Sequence, residues 1–422
     1  MSYQKLLTIF LALLLILPLT LVASNNVRKV RVIVTVDRKA FKPDAIGRLG
    51  GVILKKFDII PAFVIELPEN ALETLKKLPG VIRVEYDGVV HALGKPPNKG
   101  KGNTQPPQVI PWGIERIGAP DVWRLTNGSA DPNGDGDLEI EVAVLDTGVD
   151  NDHPDLVANI KWGICLLLNK VSTKPRDWND RNGHGTHVIG IIAAVFNDIG
   201  VVGAAPEVEI YAIKVLNDAG YGYWSDVIEG IEWALKGPDG YIDRDEDGVI
   251  VGDPEDDAAE VISMSLGASS APEAVHDAIK TAYAYGVVIV AAAGNEGEST
   301  PCYPAVYEEV IAVGAIDEAD NVPWWSNRNP ELTAPGVNVL STYKNDGYEE
   351  LSGTSMACPH VSATVALVQA VRLANGMLLL SPDSVRSLLQ NTADDLGEAG
   401  YDSLYGYGVV RADKAVSEAL NP

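Results

Sequence analysis

Beyond residue 108 the chain alternates short apolar runs with longer helical stretches, and no other feature restricts its fold as much. The runs Glu141–Leu145, Glu209–Val215, Val261–Met264, Val287–Ala291 and Val310–Val313 are almost continuously apolar. Strands of that kind have to be covered on both faces. Between them His184–Ala194, Ser225–Leu235, Ala271–Tyr285 and Ser355–Ala374 carry helical spacing. Buried strands alternating with helices predict an α/β fold, a three-layer and mostly parallel sheet with helices on both faces. There is no internal repeat and no heptad run.

The N-terminal part follows other rules. Lys5 precedes the apolar run Leu6–Val22, and Ala23 and Ser24 close it, so residues 1–24 read as a secretory signal peptide and predict an extracellular protein. No later stretch is expected to span a bilayer. Residues 25–93 then show strand-like alternation at 30–37, a helical stretch Pro43–Leu49, and strands Val52–Phe57 and Ala62–Leu67. A second helix, Asn70–Leu78, and a strand, Val81–Val90, complete a β-α-β-β-α-β order. That order predicts a small ferredoxin-like α+β unit. Gly94–Gln108 is rich in Gly and Pro and reads as a linker to a body of residues 109–422.

Charge divides the chain at the same place. The whole sequence has 33 Lys+Arg against 58 Asp+Glu, a net charge of −25. Such acidity argues against nucleic acid as a partner, since phosphate contacts need clustered cations. Residues 25–93 hold 12 Lys+Arg and 8 Asp+Glu, whereas residues 94–422 hold 20 and 50. A basic unit is joined to an acidic body, and opposite charges favour docking. Cys165, Cys302 and Cys358 are too few for a disulfide-built scaffold, and an odd number leaves one unpaired.

Three short motifs carry residue types suited to acyl transfer. Asp146 follows an apolar strand in Val-Leu-Asp-Thr-Gly; His184 opens a helix in Asn-Gly-His-Gly-Thr-His; Ser355 opens another in Gly-Thr-Ser-Met-Ala. Strand C-termini and helix N-termini share one edge of a parallel sheet. The three can therefore meet although 38 and 171 residues separate them. A serine hydroxyl needs a base, a histidine can be that base near neutral pH, and a carboxylate orients the imidazole. Taken singly, each motif is also an ordinary turn or helix cap. No His-Glu-x-x-His is present, and Gly353–Ala357 lacks the last glycine of an α/β-hydrolase elbow.

Two acidic loops repeat carboxylates at alternate positions around a glycine. The first is Asp131, Asn133, Asp135 and Asp137; the second is Asp243, Asp245 and Asp247 with Val249. Alternate oxygens around a sharp turn suit a hard cation such as Ca2+. Position 12 is Val142 in one loop and Pro254 in the other, so neither is an EF-hand. Asp253, Glu255, Asp256 and Asp257 follow the second loop and are further candidate ligands.

Over residues 105–420 these motifs resemble the subtilisin family of serine proteases, in their residues and in the chain order Asp, His, Ser. Ala-Ala-Gly-Asn295-Glu-Gly resembles the segment bearing that family's oxyanion-hole asparagine. The resemblance implies a secreted serine endopeptidase with Asp146, His184 and Ser355 as triad and Asn295 as oxyanion donor. It implies that Gly220, Tyr221 and Gly222 on one side, and Ser265, Leu266 and Gly267 on the other, pair with an extended substrate. With no acidic side chain evident at the pocket wall, the expected preference is for apolar P1 residues. Val195-Phe-Asn197-Asp-Ile199-Gly-Val201 resembles the family's tight calcium loop, implying Gln108, Asp155 and Asn197 as side-chain ligands and Val195, Ile199 and Val201 as carbonyl ligands. Gln108 would complete that site only after the linker is freed. Residues 25–93 resemble the family's propeptide, a folding aid and inhibitor, with self-cleavage expected between Leu93 and Gly94. The expected partners are protein and peptide substrates and this propeptide, with a monomeric enzyme. The acidic segment 237–260 is most similar to calcium-rich subtilisins of hyperthermophilic archaea, which implies a thermostable enzyme. The competing reading is a catalytically silent calcium-binding surface protein that keeps the fold.

Overall fold

The computed structural model describes residues 28–94, 105–130, 140–167, 170–252 and 256–421. The expected signal peptide, the middle of the linker, the loop Asp131–Asp137 and residues Asp253 and Glu255 lie outside them.

The first unit is a four-stranded antiparallel sheet of β1 (Lys29–Val36), β2 (Val52–Lys56), β3 (Ala62–Pro68) and β4 (Val81–Tyr86), ordered β2-β3-β1-β4. With a short helix at Asp44–Arg48 and one turn at Leu72–Leu75, this is the ferredoxin-like order expected. Two expectations fail locally. The helix Asn70–Leu78 shrinks to Leu72–Leu75 after the 3₁₀ turn Glu69–Ala71. Pro68 and Pro79 bracket the stretch, and only Leu72 and Leu75 are buried in it. The single strand Val81–Val90 is broken at Asp87–Gly88, so that β5 (Val89–Ala92) leaves the sheet. Asp87 is held by the body there: its carboxylate accepts from the Ser225 N–H (3.0 Å) and hydroxyl (2.8 Å).

The body is built on a seven-stranded sheet. Its strands are β6 (Glu141–Asp146), β7 (Ile160–Cys165), β8 (Glu209–Lys214), β10 (Val261–Met264), β12 (Val288–Ala292), β13 (Val310–Ile316) and β14 (Leu332–Pro335). Two short strands, β9 (Tyr221–Tyr223) and β11 (Leu266–Gly267), lie outside it. The order is β14-β13-β12-β10-β6-β8-β7, and every pairing is parallel. Strands β7 and β14 are absent from the expectation. Both are edge strands; Lys161 and Gly163 interrupt the apolar run of β7, and β14 is four residues long and ends on Pro335.

The predicted covering of both faces is visible in the core. Val142 and Val144 of β6 point into a cluster shared with the helices His184–Ala193 and Thr354–Ala374, while Ala143 and Leu145 point into one shared with Trp224–Lys236 and Glu273–Ala284. The N-terminal sheet stacks outside that second helical layer: Ile33, Phe57, Ile60, Ala62 and Val64 join its cluster. The opposite face of the small sheet, with Val32, Val34, Phe41 and Ile46, forms a core of its own. Among the described residues one helix, Thr354–Ala374, is long and apolar enough to cross a membrane, against the expectation that no later stretch is. It is buried from Thr354 to Val371, as the central helix of a core.

Candidate active site

The three motif residues meet at the C-terminal edge of the sheet. Asp146 ends β6, His184 is the first residue of its helix, and Ser355 is the second of its own. Asp146 brackets the imidazole, with Nδ1 of His184 at 2.8 and 2.9 Å from its two oxygens. The turn before His184 is tied down by Asp180, which accepts from the N–H groups of Asn182, Gly183 and Thr186. Gly183 adopts φ 105°, and a side chain there would strike the Tyr343 ring. Burial works to lower the His184 pKa, but the Asp146 carboxylate, helped by the charge of Asp180, more than offsets it and holds the group above the usual histidine value. Nε2 of His184 is buried without a hydrogen-bond partner. The Ser355 hydroxyl donates instead to the Ser265 carbonyl at 3.0 Å. His187 is different in kind. Burial pushes it down to about 3, and its Nε2 lies 3.0 Å from the Val339 and Glu349 carbonyls, a packed core position.

Chain from the N-terminal unit fills the cleft. Strand β5 pairs antiparallel with β9 on one side and β11 on the other. Gly220, Tyr221, Gly222, Ser265, Leu266 and Gly267 therefore all flank an extended segment. The Ala92 N–H donates to the Gly220 carbonyl (3.0 Å) and the Leu93 N–H to the Ser265 carbonyl (3.2 Å). The Leu93 carbonyl accepts from the Asn295 side-chain amide. That amide has one possible orientation, because its oxygen already accepts from Thr354 N–H (2.9 Å) and hydroxyl (3.0 Å). Gly94 lies against the imidazole: a Cβ on it would sit 2.7 Å from Cδ2 of His184.

The Leu93 side chain is 7% exposed and borders a cavity of about 470 Å³ with Gly267, Ala268, Cys302 and Tyr303. Two carboxylates, Glu296 and Glu298, also border it, contrary to the expectation of a pocket without acidic groups. Both are exposed, so they stand at its rim. They follow Asn295 directly, and that adjacency was the available signal. The three cysteines are free; burial pushes the Cys302 thiol up to about 12 and the Cys358 thiol up to about 11.

The candidate calcium residues fall into two groups. Gln108 is already seated on the loop 195–201, although sequence suggested that it waits for the linker to be freed. Residues 107 and 109 bridge to Ile199 and Val201, which fixes the side chain between them. Its amide nitrogen lies 2.8 Å from the Val195 carbonyl, 3.1 Å from the Val201 carbonyl and 3.3 Å from Oδ1 of Asn197. Asp155 accepts from the Asn197 amide (2.7 Å) and from the Val201 N–H (3.0 Å). In the second loop, carboxylate oxygens of Asp243, Asp245 and Asp247 lie within 4.8 Å of one another. Oδ1 of Asp243 is buried and unpartnered. The Val249 N–H donates to Asp247 (2.7 Å). Asp256 and Asp257 accept from the N–H groups of Arg244 (2.7 Å) and Asp239 (3.2 Å), bracing the loop from outside. A third group, Asp150, Asp152 and Asp346, also converges and was not foreseen, since its third member lies 194 residues beyond the second.

A parallel sheet that delivers carboxylate, imidazole and hydroxyl to one edge, beside an extended-chain cleft, is the arrangement of a serine endopeptidase. Comparison with known sequences agrees. The pattern of the subtilase family matches residues 138–408, and the chain belongs to that family. It is 37% identical over 365 residues to an alkaline protease of Alkalihalobacillus alcalophilus, covering 86% of this chain and 81% of that one. It is 35% identical over 382 residues to subtilisin E of Bacillus subtilis (strain 168), covering 89% and 86%. It is 40% identical over 310 residues to subtilisin BL of Lederbergia lenta, covering 73% and 99%.

Proposed function

We propose that the protein is a secreted, calcium-dependent serine endopeptidase, made as an inhibited precursor that cuts itself between Leu93 and Gly94. One observation carries the reading: the Leu93 carbonyl rests on the Asn295 amide while Gly94 touches His184. These two contacts support the Leu93–Gly94 peptide as the bond that is cut.

In the proposed mechanism the Ser355 hydroxyl turns from the Ser265 carbonyl toward the unpartnered Nε2 of His184. The Leu93 N–H donates to the same Ser265 carbonyl, so that acceptor keeps a partner when the serine turns away. Oγ then attacks the Leu93 carbonyl carbon as Nε2 takes its proton, and Asp146 stabilises the imidazolium. The oxygen that becomes anionic already faces Asn295, so the donor needs no reorganisation. His184 returns the proton to the Gly94 nitrogen as the bond breaks, and water releases the acyl group by the same path in reverse. Residues 25–93 remain docked as an inhibitor, and the body begins at Gly94.

The buried Leu93 supports an apolar P1 preference. The rim carboxylates Glu296 and Glu298 narrow it, since an acidic P1 side chain meets like charge. For calcium, the donor sets fit. The Gln108 amide carries an oxygen as well as the nitrogen that faces the loop. Turned over, its oxygen joins those of Asp155 and Asn197 and the carbonyls of Val195, Ile199 and Val201 in an oxygen-only nest suited to Ca2+. Asp243, with its unpartnered oxygen, and Asp245 and Asp247 form a second set. The cation would pin these loops, leaving the chemistry to the triad. The acidic segment 237–260 also supports kinship with calcium-rich archaeal subtilisins and a thermostable enzyme. The test of the central reading is Ser355→Ala produced alone. It is expected to accumulate as uncut precursor, and cleavage at Leu93 in that variant would sink the proposal.

A further inference from the structure

Away from the cleft, the N-terminal unit inserts one lysine into the body. Lys55 lies on β2 and is 9% exposed. Its ammonium donates to Oδ1 of Asp226 (2.6 Å), to Glu229 and to the carbonyl of Leu166 (3.1 Å). An ammonium has three N–H groups, and three oxygens of the body meet them. Asp226 is fully buried, and the Glu229 side chain is 14% exposed. Both carboxylates sit on the helix Trp224–Lys236, and the Leu166 carbonyl follows β7. The slot is therefore made wholly by the body, while the cation is made wholly by the unit.

We infer that Asp226, Glu229 and the Leu166 carbonyl form an ammonium-binding slot, specific for a lysine on an extended strand, by which the body retains its own N-terminal unit after cleavage. The inference rests on the inhibited-precursor reading but concerns a site outside the cleft. Strand pairing at β5 uses main chain and accepts many sequences. The slot asks for a side chain of one length and one charge. Emptying it leaves two carboxylates on a face that burial had closed, and losing one partner of a buried charge pair acts mainly on the dissociation rate. Arginine is a poor substitute, because its wide planar fork cannot present three donors at one point.

The test uses the full-length precursor. Cleavage at Leu93 is followed by gel, and activity by hydrolysis of a chromogenic peptide. The wild type is expected to show an inhibited interval between complete cleavage and full activity. Lys55→Met, which keeps the apolar stem and removes the charge, should shorten that interval about tenfold or more. Glu229→Gln, made in the body, should do the same even if the Lys55 variant folds poorly. Lys55→Arg should retain the unit less well than wild type. In each case kcat and KM of the mature enzyme should be unchanged. An unchanged interval in both Lys55→Met and Glu229→Gln overturns the slot alone, and full retention by Lys55→Arg overturns its selectivity for ammonium. No interval in the wild type overturns the inhibitor reading, and the slot with it.

Discussion

The N-terminal unit meets the body in two places, and the two are built on opposite principles. In the cleft, β5 is held by Gly220, Ser265 and Asn295 mainly through its own peptide groups, with Val90 and Leu93 as buried side chains and His91 edge-on to the Tyr221 ring. On the outer helices almost everything is side chain. Lys55 enters its slot; Arg31 bonds Asp87 and the Ser225 hydroxyl; Arg83 reaches Asp277 at 2.5 Å; Glu85 and Asp87 take up N–H groups at the starts of two helices. The cleft has to accept many substrates, so it recognises what all peptides share. The helix face has one partner, so it can carry charges that fit nothing else. On the proposed reading, the split between a basic unit and an acidic body serves retention rather than catalysis.

The difference can be broken apart by substitution. The largest expected effect is that of Ser355→Ala, which removes the nucleophile and leaves both contacts standing. Casein hydrolysis should fall by roughly 10⁶, the loss measured when the nucleophile is removed from subtilisin itself. The uncut unit should stay docked, shown by protection of residues 28–94 from an added protease. Next, Asn295→Ala should slow self-cleavage by roughly 10²–10³, again the cost measured in subtilisin, with the helix-face contacts untouched. Rapid self-cleavage in that variant would separate Asn295 from the oxyanion. Leu93→Glu tests the side chain that borders the pocket beside Glu296 and Glu298. Placing a carboxylate near Glu296 and Glu298 should slow processing about tenfold to a hundredfold, and relief by Glu296→Gln would assign the cause.

Acid should act on the cleft before the helix face. His184 must be neutral to accept a proton, and its pKa is raised in the docked precursor. As the pH is lowered, self-cleavage should therefore begin to fall before the usual histidine value of about 6.5 is reached, and then by about tenfold per pH unit. A processing rate that stays flat down to pH 5 would exclude His184 as the base. The smallest effect expected is that of calcium removal on the docked precursor. A ligand present at a hundred times its Kd contributes about 2.7 kcal/mol, so chelation should lower the unfolding temperature by several degrees. Asp155→Ala should abolish most of that difference and Asp243→Asn a smaller part.

How much was legible in the sequence depended on the range over which each feature is set. Asp146, His184 and Ser355 could be found because each is fixed by a strand end or a helix start within a few residues. The five central strands could be found because burial on both faces leaves them no polar face. Strand β7 was missed for the same reason in reverse: at the sheet edge it carries Lys161, which reaches Glu141 at 3.3 Å and Glu209 at 2.6 Å. The break at Asp87–Gly88 was missed because its cause, Ser225, is 138 residues away.

The sequence by itself determined the α/β class, the division into a basic unit and an acidic body, and the residue types at the sheet edge. These follow from periodicity, charge and turn chemistry, which act locally along the chain. Only the tertiary structure decided that the Leu93 carbonyl lies on the Asn295 amide, that Gln108 is seated on the loop 195–201, and that Lys55 fills a slot between Asp226 and Glu229. Each joins residues far apart in sequence, 171 positions in the case of Lys55 and Asp226. A lysine on a strand and an aspartate on a helix look the same in sequence whether solvent surrounds them or burial pairs them. Packing alone, by removing the water, makes that distinction.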